Sequence, residues 1–331
     1  MIGWYVHHAG RGHATRAAAV AAHLRHPVTG LGSGPPPAGW PGEWVLLERD
    51  DRDPAPRDVS AGGGLHWAPR HDAGLVARNA RIARWMATRR PGLLVVDVSV
   101  EVTLLARLCG VPTVVTVLPG GRRDPAHTLA HDVADALLAP WPTGTHDTGW
   151  PRRWAEKAWT VGALSRFDGR PPRAPARRDA PRVLLLWGGD GRKVGADDVA
   201  AARVATPSWE WVEQTGAHDG EEVWQALQDA DVVVTHGGQN AVAEVAAARR
   251  PAVVVAQPRP FDEQRATAQA VDAAGIAVGL DAWPEPAAWP HLLERARSLG
   301  GAGWRRWSTG AGALAAAEHL DRLADELGGG R

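Results

Sequence analysis

Short apolar runs recur along the chain, each followed by a turn rich in glycine or proline and then by a stretch with helical spacing of apolar positions. Residues 2–8 form the first run, the Ala-Gly-Arg-Gly of residues 9–12 a turn, and residues 13–25 an alanine-rich helix. Strands are expected at 28–31 and 44–48, then a long polar, glycine-rich loop at 50–69 and a helix at 75–90. Pro91-Gly92 stops that helix, and Leu-Leu-Val-Val-Asp at 93–97 reads as a strand buried on both faces. A helix at 101–108, a strand at 113–118, a helix at 128–135 and a strand at 136–139 continue the alternation. Strand and helix in strict turn predict a mainly parallel sheet covered by helices on both sides.

The pattern pauses at residues 167–181, which are rich in Pro and Arg and read as a linker. It restarts with strands at 182–187, 209–214, 231–235, 252–256 and 276–279 and helices at 222–229, 239–248 and 263–274, and it closes on a long Ala/Leu helix at 311–327. The expected organisation is an acceptor-side domain at 1–166, a linker at 167–181 and a ligand-binding domain at 182–331, with the last helix free to pack back on the first domain. The fold class is α/β, with two doubly wound, Rossmann-like domains facing across a cleft. Ligands bind beyond the carboxyl ends of strands in such sheets, so both sets of strand-end loops would line that cleft.

Composition narrows the function. The 37 basic and 37 acidic residues cancel, which gives no reason to expect nucleic acid as a partner. The single cysteine, Cys109, excludes an intrachain disulfide framework and a cysteine-rich zinc site. No run of about 18 apolar residues appears, and no basic-then-apolar leader opens the chain, so a cytoplasmic protein is expected, with peripheral contact at the inner face of a membrane left open. Seventeen tryptophans stand against one Tyr and two Phe, so Trp must supply the aromatic packing, with a few left to line a cleft.

The most informative segment is residues 232–244, where a strand runs through His236-Gly237-Gly238 into a helix starting at Gln239-Asn240. Glycines admit a ligand close to the backbone, and the unpaired N–H groups of a helix start suit a diphosphate. Glu244 lies one turn beyond Asn240 on the same face, where a carboxylate can accept both ribose hydroxyls; the segment also reads as a capped helix with a surface Glu. One strand later, Asp262 and Gln264 offer the acceptors and donors that sugar hydroxyls require.

The run from His236 to Gln264 resembles the donor-binding signature of the two-domain nucleotide-sugar glycosyltransferases of the GT-B fold, both the UDP-glycosyltransferases and the lipid-linked N-acetylglucosaminyltransferase of peptidoglycan synthesis. The resemblance implies that His236 and the backbone of Gly237, Gly238 and Gln239 hold the phosphates, with Asn240 beside them. Glu244 would hold the ribose, and Asp262 and Gln264 the transferred sugar. In the family the loop after the first strand of the second domain commonly carries a Ser that touches phosphate. Here it reads Gly188-Gly189-Asp190-Gly191, whose backbone alone would serve, since the Asp190 charge opposes phosphate.

By the same resemblance His13, in the first glycine-rich loop, is the general base, and Asp97, ending the fourth strand, orients it. Asp97 also reads as a cap on the helix that follows. His7 and His8 are expected inside the first strand, facing core and neighbouring strand. No group of His, Asp and Glu shows metal-ligand spacing, so the expected reaction is an inverting transfer with no metal and no cofactor, the nucleotide sugar, UDP-linked by preference, being co-substrate. A nucleotide-sugar epimerase, a nucleotide-sugar hydrolase and a non-catalytic nucleotide-sugar-binding protein are the rival readings. The acceptor is open among a lipid-linked sugar, a polymer and a small metabolite. Candidate acceptor loops carry Trp40, His66, Trp67, Arg122 and Arg123, and a stripe of Arg78, Arg81 and Trp85 offers either a solvated basic face or a contact for anionic headgroups.

Overall fold

The computed structural model describes residues 1–8, 10–174, 178–188, 193–216 and 220–328. The first unit runs β1 (Ile2–Val6), α1 (Arg11–Ala21), β2 (Val28–Gly32), β3 (Glu43–Leu46), α2 (Ala73–Arg89), β4 (Leu93–Asp97), α3 (Val100–Leu108), β5 (Thr113–Thr116), α4 (Pro125–Val133), β6 (Ala136–Ala139), α5 (Arg152–Ala155) and β7 (Ala158–Thr160). The second runs β8 (Arg182–Gly188), α6 (Ala196–Ala205), β9 (Glu210–Gly216), α7 (Gly220–Asp229), β10 (Val232–His236), α8 (Gln239–Ala248), β11 (Ala252–Val255), α9 (Glu263–Ala273), β12 (Val278–Leu280), α10 (Trp289–Leu299) and α11 (Gly312–Gly328).

The strand orders are β3-β2-β1-β4-β5-β6-β7 and β12-β11-β10-β8-β9, and the paired strands within each sheet are parallel. Each order reverses direction once, between β1 and β4 in the first sheet and between β8 and β10 in the second. At such a reversal the flanking connections leave on opposite faces and open a crevice at the strand ends. His13 follows β1 and Asp97 ends β4, while Gly188 ends β8 and His236 ends β10. The candidate residues therefore gather at the two switch points.

Alternation along the buried strands divides the cores. In β8, Leu184 and Leu186 pack with α7, α8 and Trp304, whereas Val183, Leu185 and Trp187 pack with α6 and α10. In β1, Ile2, Trp4 and Val6 meet α1 and α11, while Tyr5 meets α2. Trp4, Trp141, Trp187, Trp289 and Trp304 are among the largest fully buried side chains, which makes tryptophan chiefly a core-filling residue here. Although α11 follows the second domain in sequence, it covers the first: Ala313, Ala316, Ala317 and Leu320 share a core with Ala17 and Val20 of α1. Asp321 fixes that return, accepting from the backbone N–H groups of Arg25 at 2.9 Å and His26 at 3.2 Å.

Several expectations change. α1 begins at Arg11, so His13 stands in the first turn of a helix and not in a loop. β1 stops at Val6, and His7 and His8 lie beyond it at the strand-end surface, not within a strand. The elements α5, β7, α6 and α10 were not anticipated. The first two are very short, and α6 opens on Ala-Asp-Asp with little apolar contrast. α10 carries a buried stripe of Trp289, Leu292, Leu293 and Ala296 at ordinary helical spacing, masked in the sequence by the prolines before it. The supposed surface stripe on α2 is also corrected. Arg78 is 2% exposed and paired with Asp50 and Trp85 is buried, so the two do not form a surface stripe with Arg81, which is exposed and paired with Glu48. No described helix is long and apolar enough to cross a membrane.

Leu320→Ala tests the return of α11. Removing a fully buried leucine should lower the free energy of unfolding by about 2–5 kcal/mol, read by urea denaturation followed through tryptophan fluorescence.

Candidate functional site

The centre of the first switch point is Asp97, 1% exposed at the end of β4. Its Oδ2 lies 2.7 Å from Nδ1 of His13, and its Oδ1 accepts from Nη2 of Arg16 at 2.5 Å. Burial by itself raises the pKa of this carboxyl, but Arg16 and His13 outweigh burial and hold it well below the ordinary carboxylate range. An ionised carboxylate only accepts, so the 2.7 Å contact puts the ring proton of His13 on Nδ1 and leaves Nε2 as the basic atom; Arg16 Nη2 lies further from that nitrogen, at 3.3 Å. The alternative role of Asp97 as a helix cap is filled by Ser99, whose Oγ accepts from the Val102 N–H at 3.2 Å.

His7 and His8 stack beyond β1 with ring centroids 4.9 Å apart, and His7 is 5.6 Å from the His13 ring. Burial, then the nearby His13 and His8, push His7 down to about 3, so it is a neutral wall beside the candidate base. Both line a cavity of about 320 Å³ together with Asp50, Asp51, Trp67, Arg78 and Glu101. Within it the buried Oδ1 of Asp50 has no hydrogen-bond partner, and Glu101 accepts from the backbone N–H groups of His66 and Trp67.

Across the domain boundary lies the glycine turn after β10. Gly238 N donates to Nδ1 of His236 at 3.0 Å, which leaves the His236 proton on Nε2 and commits one of the N–H groups expected to hold phosphate. A Cβ on Gly237 would stand 2.3 Å from the Gln264 carbonyl, so this position admits no other side chain without moving backbone. Gln239 and Asn240, at the start of α8, reach the first domain: Gln239 Oε1 accepts from Arg16 Nη1 at 2.6 Å, and Asn240 Nδ2 donates to the Gly12 carbonyl at 3.0 Å. Glu244 is buried in α8, with Oε1 accepting from Arg166 Nε at 2.8 Å. Burial raises its pKa and Arg166 partly offsets that.

Gln264 is buried at the start of α9, where its Oε1 accepts from Gln257 N at 3.1 Å, so here it braces the loop that ends β11. Asp262 is exposed and follows Phe261; both hold left-handed backbone, φ 53° and 61°. Two consecutive non-glycine residues there need outside support, and the first domain provides it. Gly121 N donates to the Phe261 carbonyl at 3.0 Å, the Arg122 guanidinium covers the Phe261 ring at 4.7 Å, and Arg122 Nη2 pairs with Glu263 at 2.9 Å. Asp262 also lines an interdomain cavity of about 760 Å³ with Arg122, Arg123 and Arg265. Of the loop after β8, Gly188 ends the strand, and Gly189, Asp190 and Gly191 lie outside the described residues.

The structure assembles two groups of metal-ligand types that sequence spacing did not show, His66–Asp124–His127 and His8–Asp50–Asp51. In each an arginine lies against one imidazole nitrogen: Arg122 Nη1 is 3.1 Å from His127 Nε2, and Arg78 Nη2 is 3.2 Å from His8 Nδ1. Arginine has only donors, so the ring proton sits on the other nitrogen, the one facing the carboxylates. These are hydrogen-bonded networks as they stand. Sequence reasoning does not mark Arg16 or Arg166 as site residues and places Arg78 on a surface stripe; Arg16 has a signal in its i+3 spacing from His13.

The comparisons with known proteins agree with this architecture. Residues 220–285 match the glycosyltransferase family 28 C-terminal domain. No curated protein sequence matches the chain. The glycosyltransferase of kitacinnamycin superposes with a TM-score of 0.68 at 18% identity over 97% of this chain and 98% of that one. The calicheamicin glycosyltransferase CalG4 gives 0.67 at 19% over 98% of each, and MurG of Acinetobacter baumannii gives 0.62 at 17% over 98% and 99%. The chain has the GT-B fold, two Rossmann-like domains with parallel sheets facing across a cleft, the fold of the glycosyltransferases it superposes on.

Asp97→Asn leaves Arg16 buried without its counter-charge and should cost about 3–5 kcal/mol of stability at pH 7. The folded-state pKa of Asp97 is depressed, so the stability it gives is present above about pH 4 and drains away as pH falls further. The gap between parent and variant should therefore narrow from pH 7 to pH 3 in guanidinium titrations.

Proposed function

We propose that the chain is an inverting glycosyltransferase that moves a sugar from a nucleoside diphosphate sugar to an acceptor hydroxyl. The observation that carries this reading is the His13–Asp97 pair at one switch point, joined through Arg16 to the glycine turn and helix start at the other. His13 Nε2 takes the proton of the acceptor hydroxyl as its oxygen bonds to the anomeric carbon. The bond from that carbon to the diphosphate oxygen breaks with its electron pair, and displacement from the opposite face inverts the centre. Asp97 holds the ring and stabilises the imidazolium. The leaving diphosphate meets the N-terminal N–H groups of α8 and the Nε2–H of His236. Glu244 turns from Arg166 toward the ribose, and Asp262 and Gln264 stand by the sugar, as the resemblance implies. UDP is the first donor to test, by the same resemblance.

The cavity behind His7 supports an N-domain acceptor site. Asp50, Asp51 and Glu101 against the buried Arg78 favour a compact neutral or amine-bearing hydroxyl compound over a lipid-linked diphosphate.

Incubation with a panel of UDP-, dTDP- and GDP-sugars, with and without neutral, amino and phosphorylated sugar acceptors, tests the reading by mass spectrometry. Acceptor-dependent release of nucleoside diphosphate with sugar attached to the acceptor supports it. Free sugar without acceptor points to a hydrolase, interconverted nucleotide sugars to an epimerase, and binding alone to a non-catalytic protein. His13→Ala should lower turnover by about 10²- to 10⁴-fold with donor affinity retained.

Glu244→Ala should weaken nucleoside diphosphate binding by roughly 10- to 100-fold, the loss of a charged hydrogen-bond acceptor. Calorimetry with UDP, dTDP and GDP measures this, and unchanged affinity for all three would remove Glu244 from the donor site.

A further inference from the structure

Arg16 lies three residues after His13, so both project from one face of α1. It is 5% exposed, and its two terminal nitrogens serve different domains: Nη2 donates to Asp97 Oδ1 at 2.5 Å, and Nη1 donates to Gln239 Oε1 at 2.6 Å. Gln239 is the first residue of α8, whose N-terminus faces the proposed phosphate site. A planar guanidinium holds two directions at once and stays charged, which an ammonium on a flexible stem does not do in the same geometry. Beside it Asn240 Nδ2 donates to the Gly12 carbonyl, and a Cβ on Gly12 would lie 3.2 Å from that nitrogen, so the two helix starts meet in close contact.

We propose that Arg16 is a positioning residue that makes the orientation of His13 depend on the placement of α8, so that the base is aligned only when the donor-binding helix is seated against the first domain. The proposal rests on the glycosyltransferase reading above. Asp97 has two oxygens, one for the Arg16 guanidinium and one for the His13 ring. With Arg16 occupying Oδ1, Oδ2 has one direction left, and that direction fixes the imidazole. A shift of α8 pulls on Gln239, turns the guanidinium and with it the carboxylate. The charged and titratable groups facing the pair are Arg16 from α1, Asp97 from β4 and His7 from the segment after β1; Gln239 and Asn240 of α8 carry no charge.

The test uses the full chain and the variants Arg16→Gln, Arg16→Lys and Gln239→Leu. Three readouts are taken: calorimetry with UDP, the low-field proton resonance of an imidazole Nδ1–H bonded to a carboxylate, and the separate effects on kcat and donor KM. Arg16→Gln should lose the resonance and lower kcat by about 10- to 100-fold through misplacement of the base, with donor KM little changed. Arg16→Lys should not restore the full kcat, since an ammonium does not hold both directions at once. Gln239→Leu keeps the Arg16–Asp97 pair and so decides the matter if Arg16→Gln does not fold: a broadened resonance and a reduced kcat support the coupling. Retention of the resonance in Arg16→Gln, or a Gln239→Leu variant identical to the parent, would overturn it. The resonance is read without turnover, so failure of the positioning role is distinguishable from failure of the transferase reading.

Discussion

A carboxylate buried at the end of β4 must be matched by a cation and by hydrogen-bond donors, and the way Asp97 is matched organises the molecule. In water its charge would cost nothing to hold; inside the sheet it is tolerable only with Arg16 and His13 against its two oxygens. Both partners come from α1, which therefore has to start where it does, immediately after the switch point. Arg16 has more donors than Asp97 can use, and the surplus reaches the other domain. The same electrostatic requirement thus aligns a candidate base and ties the two domains together.

The domain contact has a second anchorage, built differently. Around Phe261 the first domain contributes a backbone N–H, a guanidinium and two imidazole edges to a loop in left-handed conformation. Gly120 belongs to this anchorage, because a Cβ there would lie 2.1 Å from the Phe261 carbonyl. Strain in the loop beside Asp262 is thus sustained by the opposite domain. With the α8 contacts it leaves the cleft bounded by two sets of cross-domain bonds, one at Gln239 and Asn240 and the other at Phe261 and Glu263, on either side of Asp262.

Arginine dominates this chemistry. Of 37 basic residues only Lys157 and Lys193 are lysine, and the buried positions Arg16 and Arg78 each serve more than one acceptor. Arginine donors also decide the histidines. By lying against His8 and His127 they fix which ring nitrogen keeps the proton, and two clusters with metal-like composition become hydrogen-bonded networks.

The parallel sheets are legible in the chain itself, because buried strands such as Leu93–Asp97 and Val232–His236 open on unbroken apolar runs and the helices between them carry turn signals at both ends. The sequence also marked Asp97 and the His236-Gly237-Gly238 turn, which stand at strand ends where a parallel sheet exposes its ligands, and His13, which the structure places in the first turn of the helix after β1. Short elements escaped it: three residues of β7 or four of α5 show no periodicity. Pairings between distant segments were decided by tertiary structure alone. Nothing in the local pattern tells that Arg78 abandons a helix surface for Asp50, that Arg166 meets Glu244, that His7 and His8 turn out of the strand toward a cavity, or that Gln239 is held by Arg16 across 223 positions. A side chain's chemical class is written in sequence, but its partner depends on which strand ends the topology brings side by side.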